Sequence, residues 1–211
     1  MMRMGWKRPK KIKEFDDKTY PDLMLDLETM GVTPKSAILS IGAVRFRVGT
    51  QDDVASIQVP FRCFYARLDD MEQRKRGRTT DDDTMTWWNN QDDDARSIFD
   101  EHEEDVSTVL KNFNRFCRGV KRIWGNGATF DNTILRSLYK DYDQEYPVPY
   151  WKDLDMRTVS YLWNFITNWG SNGKTPQYNV GIKHNALDDA RRQCLSLQHM
   201  IIESKGSKYE P

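Results

Sequence analysis

Asp26 and Glu28 stand two residues apart in LMLDLETMG, at the end of an apolar run. Side chains on a strand repeat every second residue, so both carboxylates project from one face. Two acids facing the same way there are costly unless a positive charge sits between them, and a divalent cation is one such charge. The alternative is a pair of solvent-facing acids where the strand emerges. Asp131, in WGNGATFDN, begins a helix after a turn that Asn126 and Gly127 can make. That position suits a helix cap and a metal ligand alike. In VGIKHNALDDARRQCLSL, His184 precedes a helix and Asp189 lies five residues on, beside the packed stripe of Ala186, Ala190, Cys194 and Leu197. His184, at a loop edge, is able to swing over the same cleft. His102, within EHEED, and His199, late in the last helix, lack such company and read as surface residues.

Together these are four carboxylates and one imidazole, arriving from strand ends and helix starts. Oxygen-rich sites select hard cations, so Mg²⁺ or Mn²⁺ is favoured over zinc. Two such ions can clamp the attacking and leaving oxygens of a phosphodiester. An imidazole, with an unperturbed pKa of about 6.5, can accept a proton from water there. Asp188, adjacent to Asp189, is expected to point toward solvent or to support the ligands from behind.

The elements that must position these groups read as follows. Strands are expected over Leu23 to Leu27, Ala37 to Phe46 and Ile57 to Ala66, joined by short connections as an antiparallel meander, with Pro60 marking an edge or bulge in the third. Short strands follow at Lys121 to Trp124 and Tyr150 to Leu154. Helices are expected over Asp81 to Asn90, Asp92 to Asp100, Asp105 to Cys117, Phe130 to Tyr142, Met156 to Phe165 and Asn185 to Ile202, with a Gly/Asn/Ser-rich loop over Thr167 to Gly181. Early strands followed by alternating helices and strands give an α/β fold with a mixed sheet.

Composition bounds the partners. The chain has 211 residues, with 32 Lys+Arg against 32 Asp+Glu, 38% hydrophobic and 30% charged. That is one soluble domain, and not a domain that coats nucleic acid with a basic surface. Neutrality is an average. The first twenty residues carry seven basic against three acidic residues, and Asp69 to Asp105 carries fourteen acids against five bases. The basic N-terminal stretch either touches nucleic acid or is a surface extension anchored by Trp6, Ile12 and Phe15. Cys63, Cys117 and Cys194 are few, scattered and odd in number, which argues against zinc ribbons and disulfide frameworks and for a reducing interior. No signal-peptide or membrane-span pattern is present, so a cytoplasmic location is expected. Expected organisation is a basic extension over residues 1–20, one domain over 21–204 and a polar tail over 205–211.

Further residues are candidates for contact with a nucleic acid. Trp87 and Trp88 in TMTWWNN cannot both face the core of one helix, so one is free to stack on a base or flank the cleft, with Gln91 supporting that wall. Arg157 faces a phosphate or pairs with Asp153 or Asp155. Asn126 and Asn132 flank Asp131, and Lys183 adjoins His184. The basic run from Lys75 to Arg78 falls in a predicted loop, either meeting a nucleic-acid backbone or solvated.

The three motifs, LDLET, WGNGATFDN and HNALDDA, resemble in order and spacing those of the DEDD superfamily of 3′–5′ exonucleases, in its histidine-bearing (DEDDh) branch, on a ribonuclease H-like fold. SIGAVRF, TMTWWNNQDDDAR and DLDMRT extend the likeness toward the phage exonuclease A group, over roughly Asp22 to Ser204. The resemblance implies two divalent cations, one held by Asp26, Glu28 and Asp189, the other by Asp26 and Asp131, with His184 as general base. It also implies that Thr29 and Met30 grip the terminal nucleotide, Met30 as a wedge against its base. The implied activity is removal of nucleoside 5′-monophosphates from DNA 3′ ends, single-stranded by preference. A 3′–5′ exoribonuclease of the same fold, a subunit serving a separate polymerase, and a binding or structural domain without catalysis are the alternatives.

Overall fold

The computed structural model describes residues 19–167 and 175–206. Most of the basic N-terminal stretch, with Trp6, Ile12 and Phe15, lies outside the described residues, as do residues 168–174 of the Gly/Asn/Ser-rich loop and most of the C-terminal tail.

Strands β1 (Asp22–Thr29), β2 (Ile38–Phe46), β3 (Cys63–Arg67), β4 (Arg122–Gly125) and β5 (Asp153–Asp155) form one mixed sheet in the order β3-β2-β1-β4-β5. The first three pair antiparallel, whereas β4 runs parallel to β1 and β5 parallel to β4. The helices are α1 (Val54–Ile57), α2 (Asp70–Lys75), α3 (Asp82–Asn89), α4 (Asp93–Arg96), α5 (Val106–Phe116), α6 (Asp131–Asp141), α7 (Met156–Ile166) and α8 (Ala186–Ser204). This is the mixed-sheet α/β fold expected, ribonuclease H-like in its order of elements. No helix among the described residues is long and apolar enough to cross a membrane.

Alternation along β1 decides which side of the sheet does chemistry. Leu23, Leu25 and Leu27 pack with α5 and α6 residues such as Val109, Phe113, Ile134 and Leu138. Met24 packs on the opposite face with Trp163, Ala190, Cys194 and Leu197 of α7 and α8. Asp26 and Glu28 share the parity of Met24 and therefore face α8. The β1–β2 register shifts between Glu28 and Thr29, so the pairing changes just after the second acid, one residue before β1 ends. A satellite cluster of Met30, Ala37, Leu39, Trp88, Ala95 and Ile98 forms under α3.

Three expectations are corrected. The third strand, expected over Ile57 to Ala66, begins only at Cys63. Asp53 caps α1 through a reciprocal box with Ser56, and Pro60 opens a 3₁₀ turn over Pro60–Arg62, leaving too little extended chain for a longer edge strand. The helix expected over Asp92 to Asp100 divides into α4 and a 3₁₀ turn, Ser97–Asp100. Of the basic run at 75–78, Lys75 and Arg76 are exposed but Arg78 is not. Lys75 ends α2, and Arg78 is buried, donating to the Ser36 carbonyl and pairing with Asp141 at 2.8 Å. Its charge holds α6 to the loop that follows β1.

Candidate active site

The expected carboxylates and histidine converge, because three junctions meet at one end of β1. Asp26 lies partly exposed on the cleft floor, and Glu28 is buried at 8% exposure one step nearer the strand end. Asp131 opens α6 directly after the β4 turn, and its Oδ1 accepts the Leu27 amide at 3.2 Å. The turn is tight. A side chain on Gly127, whose φ is +111°, would strike the Arg157 guanidinium, and one on Gly125 would come within 3.3 Å of the Asp131 carboxylate. Asp155, at the end of β5, accepts both the Ala128 amide at 2.9 Å and the Arg157 amide at 2.7 Å. One carboxylate thus starts α7 and pins the turn that leads to Asp131.

The other half of the site comes from the start of α8. Asn185 caps the helix, accepting the Leu187 and Asp188 amides. Asp189, in the first turn, accepts the His184 amide at 2.9 Å, and Arg192 donates to it through Nε at 3.0 Å. Arg192 also donates to the Val180 and Ile182 carbonyls, tying the incoming loop to the helix. Asp188 does not stand free in solvent. It accepts the Ile182 amide at 2.8 Å and pairs with Arg191, closing the loop around Gly181. His184 adopts a left-handed backbone, φ 62°, directly before the helix. One ligand atom each from Glu28, His184 and Asp189 lie within 4.8 Å of one another.

Close approach of α8 to the sheet rests on Gly42. It pairs with Asp26 across β1 and β2, and a Cβ there would lie 2.1 Å from the Ala186 carbonyl carbon and 2.2 Å from the Leu187 nitrogen. Gly42, Asp155, Arg192 and Gln193, which donates to Asp26 at 2.7 Å, were not singled out from sequence. Signals existed for two of them. An isolated glycine inside the strand SIGAVRF marks close backbone approach. Gln193 lies four residues after Asp189 and so shares its helix face.

Electrostatics show a cluster short of positive charge. Burial, then repulsion from Asp131, Glu28 and Asp189, pushes the Asp26 carboxyl well above its ordinary range, against the Gln193 hydrogen bond. Burial, with Asp189 and Asp131 nearby, lifts Glu28 to about 8. Burial lifts Asp131 to about 7, despite its hydrogen bond from Leu27. Desolvation lowers the His184 pKa, with Asp189 acting the other way. A compact oxygen-rich donor set whose members resist ionising together fits hard divalent cations.

A pH dependence follows. In the folded protein Glu28 and Asp131 retain protons that the unfolded chain has lost, so stability falls as pH rises toward about 8. His184 works oppositely, but only below its ordinary 6.5. Between pH 6.5 and 8, the melting temperature in EDTA is therefore expected to drop by several degrees. Millimolar Mn²⁺ should remove most of that drop. A flat profile by differential scanning fluorimetry would mean that the carboxylates are not crowded.

The remaining candidates separate. Trp87 is 42% exposed and lines a cleft of about 540 Å³ with Glu28, Thr29, Val32, Trp88 and Phe130. Trp88 is the core member of the pair, 1% exposed, its Nε1 donating to the Thr29 carbonyl at 3.0 Å. Gln91 folds back onto its own helix, donating to the Trp87 carbonyl. Met30 packs in the cluster under α3 at 7% exposure, so the structure places it behind the cleft wall and not as a wedge in the cleft. Asn132 is also turned inward, 1% exposed on α6. Asn126 and Arg157, both exposed, line a polar cleft of about 310 Å³ with Ser160, Asp189, Arg192 and Gln193. Lys183 is exposed beside His184. The acid cluster therefore lies between an aromatic cleft and a polar one.

A mixed five-stranded sheet, with two acids of its first strand meeting the starts of two helices, has the fold of DEDD-type 3′–5′ exonucleases. Solved structures share it. Cell-death related nuclease 4 superposes with a TM-score of 0.56 at 15% identity, over 92% of this chain and 67% of that one. The nuclease domain of 3′hExo, a DEDDh family member bound to rAMP, gives 0.54 at 15%, over 90% and 96%. Exonuclease X in complex with 5′ overhanging duplex DNA gives 0.52 at 14%, over 89% and 95%. The sequence model of the Rv2179c-like family, described as a 3′–5′ exoribonuclease Rv2179c-like domain, matches residues 21–201, and the chain belongs to that family. No curated protein matches this chain.

Proposed function

We propose that the protein is a divalent-metal-dependent 3′–5′ exonuclease of the histidine-bearing DEDD type, releasing nucleoside 5′-monophosphates from a nucleic-acid 3′ end. The observation that carries this reading is the meeting of Glu28, His184 and Asp189 within 4.8 Å, beside Asp26 and Asp131. Asp26, Glu28 and Asp189 would hold one Mg²⁺ or Mn²⁺ and Asp26 with Asp131 a second. Bound there, the two ions would offset the charge of the transferring phosphoryl group and favour ionisation of water. His184 takes the proton from the water oxygen as that oxygen attacks phosphorus. The P–O3′ bond breaks, leaving a 3′-hydroxyl on the shortened strand and a 5′-phosphate on the released nucleotide. Thr29 and Trp87 flank the terminal nucleoside in the aromatic cleft. Asn126 and Arg157 lie toward the phosphate on the polar side, and Lys183 is exposed beside His184.

RNA is the polymer this reading favours, because the matching family is described by an exoribonuclease activity. The motif likeness alone pointed to single-stranded DNA. Both are tested by digesting 5′-labelled RNA and DNA oligonucleotides of one sequence, with Mn²⁺, side by side. Stepwise shortening from the 3′ end, faster on RNA, is expected. Faster trimming of DNA would reverse the polymer assignment, and cleavage at internal positions would end the exonuclease reading.

A further inference from the structure

We propose that Trp87 is a positioning residue for His184. Its indole, carried on α3, holds the imidazole against Glu28 and Asp189, so that the cleft wall and the proton-accepting group form one packed unit. This rests on the reading of the site above and adds a residue from an element that contributes no carboxylate to it.

His184 belongs to a stretch, 175–185, without helix or strand. Its main chain is anchored by the hydrogen bond from its amide to Asp189, but that bond leaves rotation about Cα–Cβ open. The Trp87 ring restricts this rotation, meeting the imidazole edge to face with centroids 4.8 Å apart and planes at 83°. Trp87 packs against Trp88 at 5.0 Å and 75°, and Trp88 reaches the imidazole more distantly, at 6.4 Å. Trp88 is locked by its bond to the Thr29 carbonyl at the end of β1. A cluster of edge-to-face contacts, a favoured geometry for aromatic pairs, with Trp87–His184 the shortest, therefore links the strand that bears Asp26 and Glu28 to the loop that bears His184. Burial supports a division of labour. Trp88 belongs to the core, whereas Trp87 is 42% exposed and is not needed to fill it. The exposed part of the Trp87 ring faces the cleft shared with Glu28, Thr29 and Phe130. A base entering that cleft presses on the same ring that holds the imidazole.

The test is a double-mutant cycle with a structural readout beside it. Trp87→Ala is expected to lower kcat about ten-fold while KM changes less than about three-fold, with Trp87→Phe recovering most of the rate. In a His184→Ala background, Trp87→Ala should cost nothing further in kcat, since its effect passes through the imidazole. Metal-free NMR of ¹³C-histidine-labelled protein supplies the second readout. The His184 Hε1 signal should shift on Trp87→Ala and stay in place on Trp151→Ala, a change of an exposed tryptophan that meets Tyr150 edge to face. A raised KM with kcat intact, or an equal loss of kcat in the His184→Ala background, would overturn the proposal and leave Trp87 as a stacking wall. An unmoved His184 signal in Trp87→Ala would overturn it whatever the activity. A His184→Ala protein with undiminished kcat would instead remove the general-base role, leaving the packing contact to be decided by the NMR shift.

Discussion

Asp26→Asn is expected to leave a folded protein that trims 3′ ends roughly a thousandfold more slowly than the wild type, the scale seen when charge stabilisation of a transferring phosphoryl group is removed. The reason lies in where Asp26 stands. It is the carboxylate that feels Asp131, Glu28 and Asp189 together, and it belongs to both proposed cation sites. Asparagine preserves shape, and its Oδ1 still accepts the Gln193 amide that Asp26 accepts at 2.7 Å. The loss is therefore of charge and not of fold. Removing one of several crowded acids also relieves repulsion, so the metal-free variant should melt no lower than the wild type. Its stabilisation by Mn²⁺ should shrink. Thermal melts with and without Mn²⁺, beside single-turnover digestion, check both halves. A variant with wild-type nuclease rate would sink the proposed site. A wild type that binds oligonucleotides without cutting them would leave the non-catalytic binding reading.

The second large effect is expected at a residue with no side chain, the cross-strand partner of Asp26. Gly42→Ala should reduce activity by about two orders of magnitude and stability by about 1–3 kcal/mol, the range for forcing atoms into a filled interior. The added methyl would overlap the Ala186 carbonyl carbon and the Leu187 nitrogen, which are backbone atoms of the first turn of α8 and cannot swing aside. The turn must lift from β2 or the strands must shift. His184 and Asp189 flank that turn, whereas Asp26 and Glu28 stay with the sheet, so the two halves of the site separate. Circular dichroism and melting curves would show a destabilised but folded chain, and Mn²⁺ titration a weakened site. A Gly42→Ala protein with wild-type melting temperature and rate would mean that α8 does not depend on this approach.

Much of this arrangement was legible in the residues, because its signals are local. The period of two in LMLDLETMG put Asp26 and Glu28 on one face without reference to any other element. The caps and stripes of α5, α6 and α8 set those helices to within a residue or two. Adjacent tryptophans had to divide between core and cleft. Less was legible where one short segment satisfies two patterns. Around Pro60, β-rich composition suggested ten residues of strand, but the capping box at Asp53 and the ring of Pro60 turned half of them into helical turns. Met30 and Asn132 followed cleft residues in sequence and were expected beside them. Both turn inward, because the β1–β2 register shifts after Glu28 and because α6 places the residue after Asp131 on its buried side.

What the sequence determined by itself was the inventory and its order: four carboxylates and a histidine at strand ends and helix starts, on an α/β scaffold. Local periodicity and capping are properties of contiguous residues, and they survive without knowledge of the rest of the chain. Only the tertiary structure decided distance. That Glu28, His184 and Asp189 meet, that burial and mutual repulsion raise the carboxyl pKa values, and that Trp87 rests on His184 all depend on α8 crossing β2 at Gly42. These are relations between segments far apart in the chain, set by close packing through a glycine too small to be noticed as chemistry.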